Sequence, residues 1–289
     1  TGGGGQVTGG GGQVTGGGGA LPSLPDRELP RASHRRRGEG VHVAVLDTPV
    51  YDPSAFPNVS YHDDTRPHSE PLPYEAGHAA FIVGLIAREA SEAHVHVYPV
   101  LDAYATGSSW EIAKRMARLP EEVSIANLSF GCYTIDDKPP LVLQRAIEVL
   151  TPRVIVIAAA GNHRQPMRPR PFWPAAMDNV VAVGALDGDR EADFSPRAPW
   201  VGAMAQGVDV ISNYLNGEVD VAGTDVKFHG FAQWQGTSFA AATVSGQVAA
   251  HLAGRQSGWR AREVLAELMA RADGDAGVRP SRFRPRHGG

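Results

Sequence analysis

The stretch GTSFAAATVSG, from Gly236 to Gly246, places a serine between a turn and a run of small residues. A glycine lets the backbone turn sharply, and the small side chains after Ser238 predict a helix that is packed closely on all sides. A serine at such a helix start lies near unpaired N–H groups and the positive end of the helix dipole, which favour negative charge nearby. Ser238 is therefore a candidate nucleophile, and a buried small-residue helix with a polar start is the alternative interpretation of this stretch taken alone.

Three further stretches end or begin in polar residues. VHVAVLDTPV ends a β-branched run in Asp47, GHAAFIVGLI opens an apolar helical pattern with His78, and VIVIAAAGN ends a hydrophobic run in Asn162. With Ser238 last, the chain order is that of the subtilisin arrangement. From about Val41 to about Gly254 the sequence resembles the subtilisin-like serine peptidases. The family motifs GTSxAAPxVAG, HGTHVAG, DTG and AAAGN correspond here to GTSFAAATVSG, HAAFIVG, DTP and an unchanged AAAGN.

The motifs also depart from the family pattern at a few positions. Ala242 replaces the proline of the serine motif, Ala79 and Ala80 replace the Gly-Thr after the histidine, and Pro49 replaces the glycine of the aspartate motif. Proline has no N–H, so the hydrogen bonding around the Asp47 carboxylate is predicted to differ from that of the family.

The resemblance implies a role for each polar residue. Ser238 would attack the peptide carbonyl, His78 would take its proton, and Asp47 would orient the imidazole. The Asn162 side chain and the Ser238 N–H would hold the oxyanion. The resemblance also implies a substrate cleft, with peptide pairing as an added strand. Its predicted residues are Ser129, Phe130, Gly131, Ala160, Gly161 and Phe172, the last making the pocket for the residue before the scissile bond shallow.

The rest of that loop, HRQPMRPRPFWP from His163 to Pro174, carries three arginines and no acidic residue. Guanidinium groups at the pocket would disfavour Lys and Arg in the substrate and tolerate acidic or small residues. Arginines that point to water are the alternative, and both interpretations stay open.

Strands and helices alternate from Val41 onward, and the strands are continuously apolar. This pattern predicts an α/β fold with a mostly parallel sheet covered by helices on both faces, and the resemblance implies the subtilisin-like three-layer form. Asp47 and Asn162 follow strands, at the sheet edge where binding sites form. The predicted helices are 78–90, 108–119, 141–150 and 260–272, and the predicted strands are 41–46, 94–101, 123–130, 153–159 and 180–185.

Composition divides the chain further. Residues 1–20 are a seven-residue repeat of glycine-rich sequence with almost no apolar content, which predicts a flexible linker. A proline-rich and basic approach segment over 21–40 precedes the peptidase domain, 41–272, and a basic tail, 273–289, follows it. The basic tail is read as a disordered terminus, with contact to an acidic partner as the alternative.

Charge and ligand patterns exclude several function classes. A net charge of -4 gives no reason to invoke nucleic acid or a membrane, no apolar run has the length of a membrane span, and a single cysteine, Cys132, excludes an intramolecular disulfide. His94 and His96 share a strand face without a third ligand nearby in sequence, and DGDREAD lacks EF-hand spacing. We therefore predict no metal and no cofactor.

The function predicted is a serine endopeptidase that acts on peptides or proteins. A fold that binds peptides without cleaving them, or an esterase or peptide-ligating transferase, is the alternative.

Overall fold

The computed structural model describes residues 13–16, 20–27, 37–52, 56–62, 71–163, 169–255, 260–271 and 278–281. The strands in these ranges are β1 (Gln13–Gly16), β2 (His42–Asp47), β3 (Val59–Tyr61), β4 (Leu72–Pro73), β5 (His94–Pro99), β6 (Thr106–Ser108), β7 (Val123–Leu128), β8 (Phe130–Gly131), β9 (Ile155–Ala159), β10 (Val180–Asp187), β11 (Arg190–Glu191), β12 (Val201–Gln206), β13 (Val210–Asp220), β14 (Asp225–Trp234) and β15 (Arg279–Pro280). The α-helices are α1 (His78–Glu89), α2 (Ser109–Met116), α3 (Leu141–Leu150), α4 (Thr237–Leu252) and α5 (Ala261–Ala270).

The central sheet has the strand order β15-β12-β10-β9-β7-β2-β5-β3. Every pair from β12 to β3 is parallel, whereas β15 adds to β12, and β11 to β10, in antiparallel fashion. The middle strands are apolar runs without alternation because both faces of the sheet are covered; five of the six residues of β2 are buried. The predicted α/β fold with a mostly parallel sheet is confirmed.

Helices cover the sheet on both faces. Val43 and Val45 of β2 pack in one core with α1, α4 and α5, whereas Ala44 and Leu46 pack in the other with α2 and α3. The helices α1 and α4 approach closely at Gly246, where a Cβ would lie 2.8 Å from the Glu89 side chain. The small residues of the serine motif therefore allow the helix that carries Ser238 to lie against α1.

Two smaller sheets flank the central one. The long hairpin β13–β14 pairs with β4, and β1 lies between β6 and β8. The sequence patterns predicted neither sheet. The linker predicted over 1–20 stays a prediction for most of its length, but Gln13–Gly16 within it forms a strand that is paired on both sides.

The ends of the predicted elements differ only slightly from the observed ones. The predicted helix 78–90 is α1, and the predicted helix 260–272 is α5, which is shorter at both ends. In the predicted tail, most residues lie outside the described ranges, but Arg279–Pro280 forms the edge strand β15. Among the described helices, none combines the length and apolar character needed to span a bilayer.

Candidate active site

Asp47 and His78 form a buried pair at the carboxyl edge of the sheet. Asp47 is the last residue of β2 and His78 the first of α1, and Nδ1 of His78 lies 2.8 Å from Oδ1 of Asp47. The same oxygen accepts the Thr48 N–H at 2.7 Å, and the Thr48 hydroxyl accepts the Ala79 N–H at 3.1 Å. Thr48 therefore joins the aspartate motif to the histidine motif. No sequence pattern predicted this link.

Two buried atoms of this pair have no hydrogen-bond partner among the described residues. They are Oδ2 of Asp47 and Nε2 of His78. Pro49, two residues after Asp47, has no N–H to donate, and its effect on the carboxylate stays a prediction. The second leaves the outer nitrogen of the imidazole available to a reacting hydroxyl.

Ser238 lies in the first turn of α4 and is buried. Its hydroxyl donates to the Ser129 carbonyl at 3.2 Å, and the Ser129 hydroxyl in turn contacts the Ser238 carbonyl at 3.2 Å. The neighbouring Phe239 ring lies 5.8 Å from the His78 ring, so the serine and the imidazole occupy the same region. In this rotamer the Ser238 hydroxyl bonds to the β7–β8 connection instead of His78.

Aromatic rings enclose the imidazole. Trp234, the last residue of β14, lies edge-on to His78 with ring centroids 5.8 Å apart, and Phe81 and Phe239 pack against the same tryptophan. No sequence motif marked Trp234, because its contact with His78 spans a large separation in the chain. The hairpin β13–β14 therefore helps to position the imidazole.

Asn162 follows β9 and is fixed by the residue before the serine. Its side-chain Oδ1 accepts the Thr237 N–H at 2.9 Å and the Thr237 hydroxyl at 3.0 Å. The Thr237 hydroxyl also accepts the Gly161 N–H at 3.1 Å. Thr237 therefore holds the amide oxygen, and the role of the NH₂ group as a donor to an oxyanion stays a prediction.

The remaining predicted cleft residues lie together beside Ser238. Phe172 is half-buried, and its ring lies against two glycines: a Cβ added at Gly131 would be 2.4 Å from it, and one at Gly161 would be 3.1 Å from it. Ala160 is buried next to Gly161, and Phe130 is buried in β8. The Phe172 ring thus lies against both Gly131 and Gly161, two residues predicted to line the cleft.

The arginines of the pocket loop divide into two groups. Arg170 forms an ion pair with Asp137, with Nε 2.9 Å from Oδ1, and its guanidinium lies over the Tyr133 ring at 5.7 Å. Its charge is therefore already paired with a carboxylate of the protein. Arg164 and Arg168 lie outside the described residues, so their part of the hypothesis stays a prediction.

Cys132 is a free, buried thiol beside the cleft. Burial raises the pKa of Cys132 to about 11, which keeps the thiol protonated at neutral pH. A protonated thiol is a poor nucleophile, so Ser238 is the better candidate.

A separate group of histidines lies on the sheet face near α2. His96 shares hydrogen bonds with His42 at 2.9 Å and His62 at 3.0 Å, and His94 shares one with Ser60 at 2.8 Å. A metal ion could be held here by His42, His96 and Glu122. One ligand atom from each of these residues lies within 4.8 Å of the other two. The ring nitrogens between His42 and His96 already bond to each other, and the prediction of no metal stays a prediction.

A profile described as the Subtilase family matches residues 38–284. The chain belongs to the subtilase family. A "Thermophilic serine proteinase" of Bacillus sp. (strain AK1) is 28% identical over 229 residues, which are 73% of this chain and 51% of that protein. An "Intracellular serine protease" of Paenibacillus polymyxa is 27% identical over 241 residues, 77% of this chain and 69% of that protein. The chain thus spans about half the length of the first relative.

Solved structures share the fold of this subtilase. One described as a lanthipeptide protease superposes with a TM-score of 0.65 at 24% identity, covering 81% of this chain and 82% of the other. The protease domain of PatA gives a TM-score of 0.66 at 21% identity, covering 83% and 89%. At these identities the likeness concerns the fold, and the predicted subtilisin-like architecture is confirmed.

Proposed function

We propose that this subtilase is a serine endopeptidase that uses Asp47, His78 and Ser238. The observation that carries the proposal is the buried hydrogen bond of 2.8 Å between His78 and Asp47, in the region of the first turn of α4. Structural pairs of this kind also occur without catalysis, but here the outer imidazole nitrogen has no partner among the described groups and the serine lies in the same region. Family membership and the names of the relatives support the same reaction.

The first step is proton transfer from the serine. When the His78 Nδ1–H donates to Asp47, Nε2 carries the lone pair that accepts the proton. The Ser238 hydroxyl, which now donates to the Ser129 carbonyl, turns about its Cα–Cβ bond to reach that nitrogen. Its oxygen then attacks the peptide carbonyl, and His78 returns the proton to the leaving amine. Water then attacks the acyl-enzyme, and His78 takes a proton from the water and returns it to the Ser238 oxygen.

The oxyanion that forms in each step requires fixed donors. The Asn162 NH₂ group supplies one, since Thr237 holds the amide oxygen, and the Ser238 N–H in the first turn of α4 supplies the other. The substrate is a peptide or protein whose backbone adds as a strand beside β8. Because Phe172 occupies the pocket between Gly131 and Gly161, the residue before the scissile bond is small.

Cleavage of a peptide library, read by mass spectrometry, tests this function. We expect the wild type and Ser91→Ala, a serine remote from the site, to cleave equally, and Ser238→Ala and His78→Ala to cleave nothing above background. Circular dichroism establishes that all four proteins are folded. Absence of cleavage by the folded wild type would favour the alternative of a fold that binds peptides without cleaving them.

A further inference from the structure

Four histidines lie together on one face of the central sheet, away from the candidate active site. His42 begins β2 and pairs in register with His94, the first residue of β5, while His96 lies two residues further along β5 and His62 follows β3. Ring centroids are 4.7 Å apart for His94 and His96, 5.2 Å for His42 and His96, and 5.3 Å for His62 and His96. Because β2, β5 and β3 are neighbours in the sheet, separate stretches of the sequence form one histidine cluster.

Two nitrogens in this cluster face each other at a spacing close to that of zinc ligands. Nδ1 of His42 and Nε2 of His96 lie 2.9 Å apart. Two imidazole nitrogens bound to one tetrahedral zinc ion, each at about 2.0–2.1 Å, lie about 3.3 Å from each other. The rings need to separate by only a few tenths of an ångström, and His42 is only partly buried. The hydrogen bond between the two rings therefore holds a pair of ligand atoms close to the positions that zinc requires.

The other nitrogen of His96 already has the partner that a metal-bound histidine needs. Its Nδ1 lies 3.0 Å from Nε2 of His62. A histidine that binds a metal through one nitrogen donates the N–H of the other, which fixes its tautomer. His62 is itself held in place, because its main-chain N–H donates to the Val97 carbonyl at 3.1 Å and its ring stacks on Tyr98 with centroids 4.3 Å apart. With zinc on Nε2 of His96, the Nδ1–H would donate to His62.

Glu122 supplies a carboxylate beside the two facing rings. It precedes β7, whose first residue, Val123, pairs with His42. One ligand atom from each of His42, His96 and Glu122 lies within 4.8 Å of the other two. Glu122 is exposed, so its side chain can turn towards an ion held between the rings. Two imidazoles and a carboxylate suit zinc, with water at the fourth position, whereas calcium and magnesium prefer oxygen ligands throughout.

We propose that His42, His96 and Glu122 bind a zinc ion, with His62 as the hydrogen-bond acceptor for His96. The sequence alone predicted no metal because no third ligand stands near His94 and His96 in the chain. The fold supplies the missing ligands from β2 and from the turn before β7.

The proposed zinc site is separate from peptide hydrolysis. His42 and Asp47 are the first and last residues of β2, so about 16 Å of strand lies between them. Zinc would link β2, β5 and the turn before β7, and binding to the folded chain alone would stabilise it. The proposal therefore does not depend on the proposed function.

Zinc titration of the full chain tests the proposal. The protein is prepared without a histidine tag, stripped with EDTA, dialysed and titrated with zinc chloride by calorimetry. We expect one equivalent to bind tightly, and Glu122→Gln and His96→Gln each to weaken binding by at least about tenfold. Glu121→Gln, at the neighbouring exposed glutamate, is the matched control and should bind zinc as the wild type does. Because Glu122 is exposed, its substitution leaves the core intact.

His62→Phe separates a built site from a pair of histidines that happens to attract metal. Phenylalanine keeps a ring to stack on Tyr98 but removes the acceptor for His96, so zinc affinity should fall about 10- to 100-fold. His229→Gln, at an exposed histidine outside the cluster, should have no effect. An unchanged affinity in His62→Phe would overturn the role given to His62.

Thermal unfolding gives a second measurement. Zinc should raise the melting temperature of the wild type and of Glu121→Gln, but not that of Glu122→Gln. Equal zinc affinity in Glu122→Gln and Glu121→Gln would overturn the proposal, and so would a wild type that binds zinc no better than His96→Gln. Either result would mean that the cluster is a set of imidazoles that bond only to one another.

Discussion

Nδ1 of His78 lies 2.8 Å from Oδ1 of Asp47, and neither side chain is exposed to solvent. In Asp47→Asn the amide would pair with the imidazole in another tautomer and would not stabilise its positive form. We therefore expect turnover to fall by about 10⁴-fold with the fold retained. Steady-state kinetics and circular dichroism of the variant check this.

Asp52 is the matched control for that variant, because it is an exposed carboxylate close to Asp47 in sequence. Asp52→Asn should leave turnover within a few-fold of the wild type. If Asp52→Asn caused the large loss and Asp47→Asn did not, Asp52 would be the residue that holds His78, and the assignment of Asp47 would be wrong.

Asn162 offers a test that separates a donor from a structural anchor. Asn162→Asp keeps an oxygen to accept from Thr237 but has no NH₂ group, so turnover should fall about 100-fold or more with little change in KM. Thr237→Val removes one donor to the Asn162 oxygen and should cost less. A rise in KM at unchanged turnover in Asn162→Asp would instead assign the side chain to substrate binding.

Much of this site could be predicted because its residues end or begin strongly patterned elements. Asp47 ends a β-branched run, Asn162 ends a second one, and Ser238 begins a small-residue helix. Parallel strands place such ends at one edge of the sheet, which brings the residues together irrespective of their separation in the chain.

Other features depend on contacts that no local pattern records. The Trp234 ring packs against the His78 ring although the two residues are far apart in the sequence. Thr237 bonds to Asn162, which lies 75 residues before it. Apolar patterning also misses β1, because glycine-rich chain pairs through its main chain and offers no apolar side chain to count. The direction of the Ser238 hydroxyl depends on the rotamer and was not predictable.

Phe172 determines the size of the pocket in this account. Phe172→Ala should open space between Gly131 and Gly161, so cleavage should extend from glycine and other small residues to large apolar ones before the scissile bond. A peptide-library profile measures this. Phe231→Ala, which truncates an exposed phenylalanine, is the control and should leave the profile unchanged. An unaltered profile in Phe172→Ala would show that the ring does not limit the pocket.

The histidine group near α2 predicts a loss of stability in acid. Burial, and after it the neighbouring His94, His42 and His62, lower the pKa of His96 from 6.5 to about 4, with Glu122 opposing them. The unfolded chain takes up a proton at His96 below about pH 6.5, whereas the folded protein does not until about pH 4. The free energy of unfolding should therefore decrease as the pH is lowered across this window. The decrease is at most about 1.4 kcal/mol for each unit by which the pKa of His96 differs between the folded and unfolded states.

Urea denaturation at pH 7, 6, 5 and 4 measures that slope. His96→Gln removes the titrating group and should flatten it, while His229→Gln, at an exposed histidine, should not. An equal slope in the wild type and His96→Gln would mean that the acid sensitivity arises elsewhere.

The central claim is that Ser238 is a nucleophile activated by His78. A serine-directed fluorophosphonate, followed by intact-mass and peptide mapping, tests it most directly. We expect one adduct on the wild type, located at Ser238, no adduct on Ser238→Ala, and labelling slowed by several orders of magnitude in His78→Ala. A wild type that is folded but takes up no label, or an adduct that persists in Ser238→Ala, would contradict the account.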